Sequence, residues 1–290
     1  MAFGAENHLD GVRRISFVNR EALVGDVLDA MDANLVSHAC HLHEHLPTGS
    51  VTVSADVVVA DSGLTDDTFN IIAGARFAVP AAEGPEEDRR LLDVLAWLRA
   101  TGRPFSWWTG PRDKPSDLGA RLSAVGCVRS EEERAMTADL NVVPRPTPVS
   151  ELCVQRVTTR SQLADYAAVM AANWSPPSTA VIRFFEDTAD DILDERSRSS
   201  FVVGYANSQP VAGAEVHFAA DVAGLYGVVT LETARRRGFG SAVTLAALDI
   251  ARERGARTAV LQASSDGAQL YRNVGFEDVG TYAEYSIGSG

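Results

Sequence analysis

The feature that most constrains the fold is a likeness between the two halves of the chain. Ser116-Asp-Leu-Gly-Ala-Arg-Leu-Ser-Ala-Val-Gly-Cys127 and Ser265-Asp-Gly-Ala-Gln-Leu-Tyr-Arg-Asn-Val-Gly-Phe276 each read as a short helix stopped by glycine, and their Val-Gly pairs stand 149 positions apart in 290 residues. Each follows a short apolar strand, residues 105–108 and 258–261, and each precedes a charged turn and a final strand. Between the halves, Asn141-Val-Val-Pro-Arg-Pro-Thr-Pro-Val149 has three prolines at alternate positions, which favours an extended, semi-rigid linker. A period this long with a seam at the midpoint predicts two copies of one unit, residues 1–148 and 149–290.

In the second half, strands are expected at residues 152–157, 201–205, 211–218 and 225–231. Helices are expected at 161–172, with Ser161 as N-cap, at 187–192, and at 241–254, closed by Gly255. The 241–254 segment is apolar nearly all round, so it should be buried. The predicted class is α+β, each half a mixed, mostly antiparallel sheet flanked by helices. The net charge of −13 argues against a nucleic-acid partner and is compatible with a cationic amine. Three widely spaced cysteines without a CxxC argue against a disulfide framework or structural zinc and fit a reducing compartment. The first residues lack the basic-then-apolar pattern of a signal peptide, and no run approaches 18 apolar residues. A cytoplasmic location without membrane attachment is the expectation; a homodimer is left open.

Chemistry is concentrated in Leu225-Tyr-Gly-Val-Val-Thr-Leu-Glu-Thr-Ala-Arg-Arg-Arg-Gly-Phe-Gly240. A strand leads through Arg235-x-x-Gly238-x-Gly240 into the long apolar helix. Unpaired N–H groups at a helix start, the positive end of its dipole and three arginines together make an anion site suited to a diphosphate. A dinucleotide fingerprint fits poorly. The third glycine of GxGxxG is Val243, six residues separate Leu231 from Gly238, and the acidic ribose ligand is missing. The corresponding part of the first half, Val79-Pro-Ala-Ala-Glu-Gly-Pro-Glu-Glu-Asp88, is acidic and proline-broken and should repel a diphosphate.

Arg235-Arg-Arg-Gly-Phe-Gly240 resembles the Q/R-x-x-G-x-G/A signature of the GNAT superfamily of N-acetyltransferases, and Leu270-Tyr-Arg-Asn-Val-Gly-Phe276 resembles its Leu-Tyr-x-x-x-Gly-Phe helix. The two motifs flank a strand, as in that family. The resemblance is close from about Gly224 onward, general over residues 151–223, and carried by the repeat over 1–148. It implies a tandem acetyltransferase with a degenerate first copy, direct transfer from acetyl-CoA to an amine in a ternary complex, and no metal. It implies that Val229, Thr230 and Leu231 border the pantetheine, and that Arg235, Arg236, Arg237, Gly238, Phe239, Gly240 and Ser241 hold the diphosphate. Tyr271 matches the tyrosine that protonates the departing thiolate; its aligned position in the first half is Leu122. The base is open between Glu215, Glu232 and His217. Glu232 stands where the family often has proline. A different class of function remains: an acyl-CoA-binding regulatory protein that keeps the turn without turnover.

Two further features stand apart. Four of the six histidines lie in His38-Ala-Cys-His-Leu-His-Glu-His45. A metal reading finds no partnering pattern to fix its geometry, and the cluster reads instead as the end of an amphipathic helix, residues 20–36, near a solvated turn. Trp107 and Trp108 should point to opposite faces of a strand, and Trp174 lies where an acceptor pocket would form.

Overall fold

A computed structural model describes residues 20–77 and 85–288. The first half contributes α1 (Arg20–Cys40), β1 (Ser50–Val53), β2 (Val58–Asp61), β3 (Ile71–Ala73), α2 (Pro85–Ala100), β4 (Phe105–Thr109), α3 (Leu118–Ala124) and β5 (Val128–Asp139). The second contributes β6 (Cys153–Arg156), α4 (Arg160–Ala171), α5 (Thr179–Asp187), α6 (Ala189–Leu193), β7 (Ser199–Ala206), β8 (Gln209–Ala219), β9 (Val222–Thr230), α7 (Phe239–Glu253), β10 (Thr258–Ala263), α8 (Ala268–Asn273) and β11 (Glu277–Ile287). The α+β class expected from the sequence is the one observed. Each half runs through antiparallel strands (three in the first, β6 to β9 in the second), a helix, a strand parallel to the last of them, a short helix and a final strand.

The strands form one sheet in the order β1-β2-β3-β4-β11-β5-β10-β9-β8-β7-β6. The last strand of each half has crossed into the other: β11 pairs with β4, and β5 pairs with β10. The two exchanged strands pair with each other at the centre. Tyr285 and Ile287 of β11 are therefore part of the core built by Phe77, Leu95, Leu98, Phe105 and Trp107. Met136 and Ala138 of β5 join the core under α7, with Leu225, Val243, Leu248 and Leu261.

Local signals explain most element ends. Thr159, not Ser161, caps α4, its hydroxyl accepting from Gln162 N at 3.3 Å, because the helix begins one residue earlier than expected. α5 was not foreseen. Its N-cap Ser178 accepts from Val181 N at 3.2 Å, and Val181, Phe184 and Phe185 fall on one buried face. The helix expected at 187–192 corresponds to the next one, α6. The acidic segment of the first half lies outside the described residues over 78–84; its remainder opens α2.

Trp107 is fully buried in the core of the first half, whereas Trp108 packs against the cluster formed by α1 with Val222, Val260 and Tyr282. Two layers cover the sheet: α7 and α8 on one face, α4, α5 and α1 on the other. Among the described residues, no helix is long and apolar enough to cross a membrane.

Candidate active site

β9 and β10 run parallel but pair only at Ala223–Ala259 and Gly224–Val260. Beyond that point β9 keeps β8 on one side, with Tyr226 opposite Glu215, Val229 opposite Gly213 and Thr230 opposite Ala212. Its other edge is open through Val228, Val229 and Thr230. The opening starts at an irregularity of the β8–β9 ladder where Gly227 adopts φ 51° and its carbonyl accepts from the buried Tyr166 hydroxyl at 3.1 Å. A bulge of this kind bends one strand away from its neighbour.

The chain then turns through Leu231 and a 3-10 turn, Glu232–Ala234. Arg236 (φ 62°) and Gly238 (φ 79°) both lie in the left-handed region, which glycine tolerates at little cost. The first bond of α7 runs from Ala242 N to Gly238 O at 3.0 Å, so the N–H groups of Phe239, Gly240 and Ser241 have no intrahelical acceptor. Residues 235–238 are exposed, and a Cβ at Gly238 would meet nothing within 4 Å. At Gly240 it would come within 3.0 Å of Leu270 Cδ1, so glycine there lets α7 lie close to α8. The Arg235 Nε donates to Thr230 O at 3.2 Å, and the Arg237 guanidinium lies 4.6 Å over the Phe239 ring while pairing with Glu151. The thiolate-side candidate, Tyr271 on α8, is half-buried and lies edge-on to Phe276 at 5.9 Å. Burial, then the charge of Glu133, pushes its phenol up, so it stays a neutral proton donor at physiological pH.

Glu215 lies on β8 on the opposite face from α7 and is 5% exposed, not solvated. Ser199 donates to its Oε1 at 2.6 Å, and His38 Nε2 lies 3.3 Å from its Oε2. Burial pushes this carboxyl up, but His38, His41 and the Ser199 hydroxyl outweigh it and hold it below the usual carboxylate range. His38 stacks on Tyr226, centroids 3.7 Å apart, and Tyr226 OH donates to Asn34 Oδ1 at 2.8 Å. His217 is fully buried between Ser199 and Ser37, and burial keeps it neutral.

The histidine-rich segment is thus only partly at a solvated turn: Glu44 and His45 are exposed, whereas His38, His41 and His43 are drawn inward. α1 runs to Cys40, four residues past the predicted end, and lays His38 and His41 against β8. His43 donates from Nε2 to Phe69 O at 2.6 Å, and His45 pairs with Asp191 at 3.0 Å. Their partners are far away in sequence, which no local pattern reveals. Ser199 and Tyr226 were missed for the same reason.

A cavity of roughly 80 Å³ adjoins this cluster. Glu215, His38, His41 and Gly227 are among its polar lining; Met170, Phe184, Phe185, Phe69 and Ile71 line its apolar part. It therefore joins the base candidate to the start of the opening between β9 and β10, and α1, Phe69 and Ile71 of the first half wall it. Glu232 is exposed at the turn and does not line it; Trp174 is 41% exposed and does not line it either.

Residues 166–276 match the model of the acetyltransferase (GNAT) family. Among solved structures, the chain is similar to a GCN5-related N-acetyltransferase from Kribbella flavida (18% identity, TM-score 0.64, 88% of this chain and 95% of that one). A GCN5-related N-acetyltransferase from Sphaerobacter thermophilus is similar at 16% identity and TM-score 0.59, over 93% and 94% of the two chains. A tandem GNAT protein from the clavulanic acid biosynthesis pathway is similar at 12% identity and TM-score 0.59, over 94% and 96%. At these identities the likeness concerns the fold. No curated protein matches the chain in sequence.

Proposed function

From the match of residues 166–276 to the acetyltransferase (GNAT) family and the likeness of the fold, we propose that the protein is an acetyl-CoA-dependent N-acetyltransferase acting by direct transfer to an amine. The observation that carries this reading is the opening between β9 and β10, which leads at one end to the bare N-terminus of α7 and at the other to Glu215. The residues fit the cofactor. An extended pantetheine would border Val229, Thr230 and Leu231, and the diphosphate would meet the free N–H groups from Phe239 to Ser241, with Arg235, Arg236 and Arg237 supplying charge. Acetyl-CoA supplies an activated thioester, which is why little covalent help is asked of the protein.

This chain's own groups do the rest. Glu215 takes the proton of the acceptor amine, being ionised and part of the cavity's polar lining. Tyr271 gives a proton on the thiolate side. The apolar wall of Met170, Phe184 and Phe185 excludes water and favours an amine carried on a small apolar group. The first half is read as a degenerate copy that supplies one wall of the acceptor site and no second cofactor site. Calorimetric titration with acetyl-CoA tests this: one site per chain is expected in the wild type and none in Gly238→Glu, which puts bulk and negative charge into the turn. Two sites, or binding that survives the substitution, would overturn it.

A further inference from the structure

Ser199 lies where α1, β7 and β8 meet, and its hydrogen bonds do not add up. A serine hydroxyl has one hydrogen and two lone pairs. Around Oγ stand Glu215 Oε1 at 2.6 Å, His217 Nδ1 at 3.0 Å and His41 Nε2 at 3.1 Å. His41 Nδ1 is 2.8 Å from the His38 carbonyl, which only accepts, so the hydrogen of the neutral ring is on Nδ1 and Nε2 is a bare lone pair. His217 does not relieve the shortage. Arg198 donates to Ser37 Oγ at 3.4 Å; with the Ser37 hydrogen turned to His217 Nε2 at 3.0 Å the His217 hydrogen is on Nδ1, toward Ser199, and in the other tautomer Nδ1 only adds a third acceptor. Two acceptors, Glu215 and His41, remain facing a single hydroxyl hydrogen. The network is one proton short.

Neither neighbour brings that proton by itself. Burial, with the His38 charge, pushes His41 down to about 4, and Glu215 is held low as described. The other groups facing the network are Arg198 ahead of β7, His43 beyond α1, and the phenols of Tyr166 on α4 and Tyr226 on β9, both kept neutral by burial.

Resting on the reading of Glu215 as base, we propose that Ser199 relays the acceptor's proton from Glu215 to His41, so that the first half of the chain takes part in the chemistry of the second. The ammonium N–H bond breaks with its electron pair left on nitrogen, and the proton bonds to Glu215. As Oε1–H passes to Ser199 Oγ, the hydrogen already on Ser199 passes to His41 Nε2. The carboxylate is restored, and the imidazolium donates from both nitrogens, to His38 O and to Ser199. Each hydrogen bond then has one hydrogen. His41 also lines a wider surface pocket with Ser37 and Arg198, so the proton has a route to water that does not pass the acceptor.

His41, Glu215 and His217 present donor atoms within 4.8 Å of one another, a spacing that also suits a metal ion. The point they surround is filled by Ser199 Oγ, which favours a proton over a cation. His41 and Ser199 are positioning residues here, acting through Glu215.

The test pairs kinetics with imidazole NMR of the full chain. In Ser199→Ala, acetyl-CoA affinity should be unchanged, kcat should fall about 100-fold, and the acid limb of the pH profile should move. His41→Gln should do the same, and the double variant should be no worse than either single one. Without any substrate, the His41 titration should shift in Ser199→Ala and in Glu215→Gln. A wild-type pH profile in Ser199→Ala, additive losses, or a His41 titration indifferent to Ser199 would each overturn the relay. So would one tightly held zinc ion per wild-type chain that His41→Gln loses. If no amine is acetylated by the wild type, the functional reading falls, while the NMR titration still decides the network.

Discussion

The parallel strand pairs of the two halves are built alike and finished differently. In the second half, β9 runs nine residues and parts from β10 after Gly224, leaving an edge free. In the first half, β3 is three residues long, pairs with β4 at Ile71 and Ile72, and its continuation is never released. The chain after β4 folds back onto it: Lys114 N donates to Ala75 O at 3.0 Å, Phe77 N donates to Lys114 O at 3.1 Å, and Arg76 bridges to Lys114. Arg76 then holds Asp32 at 2.6 Å and Asp113 at 3.2 Å. The backbone groups that a ligand would use in one half are used in the other by the protein's own chain. One topology thus gives a cleft or a closed sheet, according to whether residues 110–115 occupy the gap.

Substitutions at matched positions can break or sharpen this contrast. The largest effect is expected at the open cleft: Glu215→Gln should lower kcat by about 10²- to 10⁴-fold while acetyl-CoA binding, read by calorimetry, stays intact. Next come the aligned residues Tyr271 and Leu122. Tyr271→Phe should lower kcat roughly 10- to 100-fold with the melting temperature unchanged. Leu122→Ala, in the closed half and fully buried, should cost about 2–5 kcal/mol of stability with acetyl-CoA affinity unchanged. Kinetic loss at Leu122 without destabilisation would erase the distinction.

The closure itself is open to titration. Burial, opposed by the Gly110 N–H bond, raises Asp113 to about 7. The folded chain therefore holds a proton that the unfolded chain releases above about 4. The stability this gives is full below that pH and is lost as pH rises toward 7. Asp113→Asn should flatten this component of the melting temperature between pH 4 and 7; an unchanged slope would remove Asp113 from the closure. The smallest effect belongs to Arg237→Ala. It removes an exposed pair with Glu151 and the Phe239 contact, so affinity for acetyl-CoA should weaken by a few-fold, about 1 kcal/mol or less.

How much was legible in the sequence follows from the range of the interactions involved. The turn at Gly238 and Gly240 and the helix at Tyr271 were readable because their geometry is local: a positive φ, an arginine run, a glycine stop. Glu215 was singled out but left unresolved against Glu232 and His217; what sets it apart from Glu232 is burial against His38 and His41, more than 170 residues away. His38 and His41 were seen as a cluster and assigned to solvent, since a helix end betrays nothing of the strand it packs on. The exchange of β5 and β11 left no trace either. A strand's alternation says which face is buried and not whose sheet it joins.

That exchange sets an order of events during synthesis. Tyr285 and Ile287 belong to the core of the first half, and β11 is the strand that separates β4 from β5. The native core of the first half is complete only once the last strand of the second half has been made. What is encoded first is finished last, and the wall around His38 and His41 is set only when both halves are.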